Sequence, residues 1–275
     1  MTKVSIGKAW EESSAFLGRE ARLVAPVALA MFAVPAALAA WINPTGQPAG
    51  DLSGLLIMLF VLATALIGQM AIAAMAIGWT GSVGGALGKA AGRAPALFGA
   101  ALMVFLPLAI AAAILLVLLL GNAGLTDPAS ISAETMAQVP GLAPFMLVMM
   151  LVFLFVATRL MPMSAVAITE TGNPLRIVGR CFALTKGNFF RLFVLLMLIL
   201  VAAMVAGGAV TAVVGSLVVL AMGDVQPLNL PALLIALAEG IVGAMITAVA
   251  ATMVARIYVQ LNTGQAGVPD VDRAD

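Results

Sequence analysis

Apolar residues gather into six long runs, approximately Leu23–Ile42, Leu52–Ile77, Ala96–Leu120, Leu142–Ile168, Phe190–Met222 and Leu230–Leu261. As helices rising about 1.5 Å per residue, each is long enough to cross roughly 30 Å of hydrocarbon. The pattern therefore predicts an all-α polytopic integral membrane protein with six transmembrane helices. The fifth and sixth runs exceed the minimum, which leaves room to tilt, to protrude, or to bend at Gly207–Gly208 or Gly240. The joining segments, roughly 8 to 20 residues, are too short for a separate soluble domain. Residues 1–22 read as a mature cytoplasmic N-terminal segment rather than a cleavable signal, 23–262 as the membrane domain, and 263–275 as a cytoplasmic tail.

Composition agrees with this reading: 9% of residues are charged, against about 25% in soluble domains, and 63% are hydrophobic. The distribution of charge is more informative than its formal net value of +1, which predicts no attraction to nucleic acid. All 13 Lys and Arg fall on one side of the six runs. They lie before the first run (Lys3, Lys8, Arg19, Arg22), after the second (Lys89, Arg93), around the end of the fourth (Arg159, Arg176, Arg180, Lys186, Arg191), and at the C-terminal end (Arg256, Arg273). The opposite loops carry Asp51, Asp127, Glu134 and Asp224 and no base. The bias of Lys and Arg toward cytoplasmic loops predicts that both termini are cytoplasmic, and an odd number of spans would break the pattern.

Two basic-side linkers look structured. In residues 173–187, Asn173 can cap a helix, Pro174 suits its first position, and Gly187 suits its end. Leu175, Val178, Phe182 and Leu184 give an apolar side; Arg176, Arg180 and Lys186 give a basic one. Such a helix would lie at the membrane surface or dock under the bundle. Residues 80–94 have the same outline, with Ser82 as a cap and Pro95 ending the segment. At a constant offset, Thr80–Gly81 matches Thr171–Gly172, Gly88–Lys89 matches Gly179–Arg180, and Phe98 matches Phe189. A parallel internal repeat of span, surface helix and span would explain these matches, as would chance in a Gly- and Ala-rich chain.

A few polar residues demand a reason. Glu239 lies near mid-membrane in the sixth run, where a charged acid costs around 3 kcal/mol on insertion scales. It reads either as a cavity residue (proton relay, cation ligand or head-group contact) or as a hydrogen-bonded side chain facing Thr or backbone at a helix interface. Gln69 is a second intramembrane polar candidate. Arg159, Arg176, Arg180, Lys186, Arg191 and Arg256 form a candidate set for anionic lipid or interfacial contact, with Arg256 placed to partner Glu170. Gly84, Gly88 and Gly92, and Gly240 with its alanine neighbours, have the spacing of close helix packing. With one cysteine, Cys181, and no histidine, neither a disulfide nor a common catalytic zinc site is expected, and no metal or other cofactor is predicted. No Gly-Lys-Ser/Thr ending follows the glycine run after Gly84, which argues against a nucleotide loop.

The stretch from Arg159-Leu-Met-Pro162 through Asn173-Pro-Leu to Phe182-Ala-Leu-Thr185-Lys-Gly-Asn-Phe-Phe190 resembles the bacterial membrane-domain family named after glycerophosphoryl diester phosphodiesterase, and YciC-like polytopic proteins. The resemblance covers Leu142 to Val210, and the remainder by topology. That family's phosphodiesterase chemistry belongs to a separate soluble barrel with metal-binding acids and histidines, so no catalytic residue carries over. The resemblance implies a scaffold or lipid-facing module; with no constellation for chemistry, two amphipathic linkers and packable glycine faces, the expectation is a nonenzymatic accessory, assembly or lipid-organising protein of the bacterial inner membrane. Its expected partners are membrane lipids and a larger membrane complex or further copies of itself. The alternative is a small-solute or lipid transporter, flippase-like, with a polar cavity around Glu239.

Overall fold

The computed structural model describes residues 4–45, 52–124, 135–136, 138–170 and 172–266. Lys3, Asp51, Asp127, Glu134, Thr171, Arg273 and residues 267–275 lie outside this set. Among the described residues the chain is helical, without strands, and six helices are long and apolar enough to cross a membrane.

Span one is a 37-residue helix, Ile6–Ile42, so the helix begins well before the apolar run does. Ser5 caps it by accepting from the Lys8 amide at 3.3 Å. Its middle, Leu29–Ala33, is a π-helical turn placed just before Pro35. Proline has no N–H for the regular ladder, and a widened turn accommodates the interruption. Span two, Leu52–Ile77, ends at Gly78, whose φ of +118° favours glycine. Span three runs unbroken from Val83 to Asn122, capped by Ser82. Pro95 and Pro107 sit inside it. Pro95 therefore does not end a separate first linker helix: residues 83–94 belong to the same rod as the span.

Span four breaks at Pro162 into Leu142–Leu160 and Met163–Thr169. The second linker is a distinct helix, Pro174–Thr185, with proline in its first turn and Gly187 in the left-handed region just beyond. Asn173 stands at its N-cap position, but its side chain makes no capping bond. Span five comprises Phe189–Val210, a π-helical turn Thr211–Gly215, and Ser216–Met222. Span six, Leu230–Ala266, runs as one helix through Gly240.

Packing is concentrated toward the end of the bundle where the basic residues gather. There the second half of span two is buried from Met70 to Ala74, and span six is buried on most sides from Ala251 to Ile257. Spans one and six are tied at both ends. Leu228 donates to the Trp41 carbonyl at 2.9 Å, and Trp41 Nε1 donates to the Asn229 carbonyl at 2.9 Å. At the other end the Ser5 amide donates to Gln260 Oε1 at 2.9 Å. Spans three, four and five pack most closely at the basic end; beyond it, spans three and four still touch at Phe105–Phe153, with ring centres 6.0 Å apart. Their remaining lengths expose apolar side chains such as Val117, Leu147 and Leu220.

The linker helix is docked against this convergence. Ile177, Cys181, Leu184 and Thr185 are buried, and Pro174 packs where a side chain on Gly99 would come within 3.2 Å. Of the expected apolar side, Leu184 points inward and Val178 packs against the core, whereas Leu175 faces out and Phe182 is half-exposed with its ring toward Arg159. This helix thus carries two apolar aspects, one toward protein and one away from it.

Candidate functional site

Mid-span, Glu239 meets span five. Thr211 Oγ1 lies 2.5 Å from Glu239 Oε1 and 3.1 Å from the Gly207 carbonyl. Thr211 is the first residue of the π-helical turn in span five. The neighbouring Gly240 fits against the other π-helical turn, in span one: a Cβ there would stand 2.8 Å from the Ala33 carbonyl oxygen. Two adjacent residues of span six thus meet two π-helical turns, one in span five and one in span one. π-turns displace backbone from the ordinary ladder and recur at functional sites. Gln69 makes no hydrogen bond among the described residues, but its neighbour Gly68 lies tight against span one, a Cβ there standing 2.7 Å from Met31 Cβ and from a Phe32 ring carbon.

At the basic end, Glu170 organises a compact network. Its Oε1 accepts from Arg180 Nε at 3.0 Å and from Tyr258 OH at 3.0 Å. Thr169 Oγ1 donates to Tyr258 OH at 2.9 Å, and Arg180 Nη2 donates to Asn262 Oδ1 at 2.9 Å. These bonds join the linker helix, the end of span four and the end of span six. Glu170 pairs with Arg180 and not with Arg256, because the linker helix brings Arg180 back over the turn that holds Glu170. Buried beside this pair, the Cys181 thiol is pushed up to about 12 by burial and by the Glu170 charge, with Arg180 opposing. It is an unreactive thiol at neutral pH.

Arg159 has a different environment. Its guanidinium carbon lies 5.2 Å from the Phe189 ring centre, 5.5 Å from Phe155 and 5.9 Å from Phe182. The only acceptor it reaches among the described residues is Thr185 Oγ1, at 3.3 Å, and its enclosed Nε has none. Three ring faces attract the cation by about 0.5–2 kcal/mol each, but none supplies a lone pair. Among the described residues, none brings an anionic oxygen to it. Lys186 follows Thr185 directly and is exposed, and Phe190, next to Phe189, is 74% exposed. A cation, a second cation and an outward apolar ring therefore share one corner.

The other candidates scatter. Arg191 donates from Nη1 to the Val4 carbonyl, and the Val4 amide donates to Asn188 Oδ1 at 3.1 Å, so this arginine pins the start of span one. Arg176 is exposed. Arg256 lies with its guanidinium carbon 5.7 Å from the Phe16 ring centre. Gly84, Gly88 and Gly92 face open space, and the packed face of that helix is Ala86, Ala90, Leu97 and Ala100. Sequence reasoning did not find the phenylalanine enclosure or the tight site at Gly68; for Glu239 it offered a Thr partner at a helix interface as one alternative, without naming Thr211. The spacing of Phe182 and Phe189 was a signal; the approach of Phe155 was not visible. Among the described residues, no group of three or more His, Cys, Asp or Glu gathers. Compared with protein-family models, curated proteins and solved structures, the chain matches none.

Proposed function

We propose that this chain is a nonenzymatic, lipid-organising accessory protein of a bacterial inner membrane that binds anionic phospholipid head groups at its basic, cytoplasmic end. One observation carries the reading: Arg159 is held among Phe155, Phe182 and Phe189 with an enclosed, unpaired Nε and no carboxylate partner among the described residues. A guanidinium in a poorly hydrated site is costly unless an anion joins it, and a phosphate accepts its planar donors two at a time. Lys186 adds charge at the same corner, and Phe190 offers a ring to the acyl region. The resemblance of Arg159–Phe190 to a membrane-domain family without its catalytic barrel fits this role.

The test compares the full chain in nanodiscs of phosphatidylcholine with and without phosphatidylglycerol, reading bound lipid by native mass spectrometry. Phosphatidylglycerol should be enriched on the wild type. Arg159→Gln should weaken that enrichment about tenfold, as loss of a charge-assisted contact implies, and Arg159→Lys should weaken it less. Equal enrichment in Arg159→Gln would refute the reading.

A second reading is small-solute or lipid transport, favoured by the contact of Glu239 with Thr211 at a π-helical turn. In that case Glu239→Gln should abolish pH-dependent flux in proteoliposomes while leaving the fold intact. Unchanged flux removes it.

A further inference from the structure

Spans one and six touch at Gly240 and Ala33 and then leave an open trough between them that runs toward the basic end. The trough has a volume of about 390 Å³ and almost no polar surface, within the roughly 300–1,000 Å³ of small-molecule sites. On span one its wall is Leu29, Ala25, Ala21 and Leu17, each four residues from the next, which places them on one face. On span six the wall includes Ile241, Met245 and Ala248, which also share a face. From Leu17 to Leu29 the trough extends about 18 Å at the helical rise, comparable to one leaflet, about half of the roughly 30 Å hydrocarbon core.

Both stripes end in a polar group without a partner. Four residues beyond Leu17 is Ser13, 1% exposed, whose hydroxyl has no hydrogen-bond partner among the described residues. Continuing from Ala248 in steps of four come Thr252 and Arg256, and the Nε of Arg256 is enclosed and unpaired. The 5.7 Å approach of Arg256 to Phe16 puts these two ends opposite each other. No carboxylate pairs with Arg256 among the described residues, so the helix that forms one wall of the trough carries, beyond that wall, a positive charge without an anionic partner.

From this juxtaposition we infer that the trough is a phospholipid site, with an acyl chain along Leu17–Leu29 and Ile241–Val249 and the phosphate on the guanidinium of Arg256. The site extends the lipid-binding reading above but uses none of the residues around Arg159, so the two fail separately. A chain of one-leaflet length matches the trough, and an anionic phosphate supplies the acceptor that Arg256 lacks.

Native mass spectrometry of the full chain after detergent exchange tests the occupant. The wild type should retain a phospholipid that Arg159→Gln also retains, whereas Arg256→Gln and Ala25→Trp should each reduce retention about tenfold. Arg256→Lys should restore part of it. Ala25 is exposed, so the Trp variant is expected to fold. A wild-type measurement is independent of any variant: a phospholipid with a photoactivatable acyl chain should crosslink to Leu17–Leu29 and Ile241–Val249. Undiminished retention in Ala25→Trp, crosslinks spread evenly over the lipid-facing spans, or conversion of a dimer to a monomer by Ala25→Trp without lipid loss would overturn the inference. The last result would mean that a second copy of the chain fills the trough.

Discussion

Both halves of spans three, four and five carry large apolar side chains, yet these have opposite fates at the two ends. Leu97 and Ala100 near the start of span three are buried, whereas Val117 and Leu118 near its end face outward. Leu192 and Leu195 begin span five inside the protein, and Leu217 and Leu220 end it outside. Hydrophobicity does not draw helices together in lipid, because lipid tails are as apolar as leucine. What distinguishes the packed half is side-chain size and polar ties. It contains the alanines of spans two and six, the Glu170–Arg180–Tyr258 network, and the bonds that hold Val4 and Ser5. The acidic half of these three spans has few such features, so its apolar faces are left to lipid or to a partner.

The largest expected break of this contrast is at the tight crossing. Gly240→Leu would drive a side chain into the Ala33 carbonyl and should cost at least about 2 kcal/mol, as overpacking does. Gly88→Leu, in open space, should cost little by comparison. Thermal unfolding in matched detergent reads both, and equal melting temperatures for the two variants would contradict the packing described. Next in size, Tyr258→Phe and Arg180→Gln should each lower stability by about 1 kcal/mol, since the network is only partly enclosed and solvent screens its ion pair.

Cys181 sharpens the contrast without a change of stability being needed. Its thiol is held protonated to about pH 12, so maleimide labelling at pH 8 should be slow in the folded protein and fast after denaturation. Because the pKa is raised, labelling of folded protein should grow only as pH climbs toward that value. Rapid labelling at neutral pH would show that the linker helix does not stay docked. The smallest effect belongs to the acidic half: Val117→Ala and Leu220→Ala should change stability by less than about 0.5 kcal/mol. Losses as large as that of Gly240→Leu, together with a shift in oligomeric state, would identify those faces as a protein interface.

The six helices were legible because a membrane crossing is a local property: a run of apolar residues must satisfy its own backbone within the segment. The linker helix was legible for the same reason, through Pro174 at its start and Gly187 at its end. Pro95 misled because a proline signals an end in isolation, whereas a long span held by neighbours continues through it. Glu239 stood out as an intramembrane carboxylate, but nothing near it in the chain named Thr211, which arrives from another helix. Arg159 was one of six equivalent bases along the chain. Only the fold separated it from the others, by closing Phe155, Phe182 and Phe189 around it while giving Arg180 a carboxylate and Arg191 a carbonyl. Transfer from water to lipid depends on composition within one segment, so number and placement of spans follow from the amino-acid order. Partner choice depends on shape, on small residues at crossings and on where two helices bring their few polar atoms, and those distances exist only in the assembled bundle.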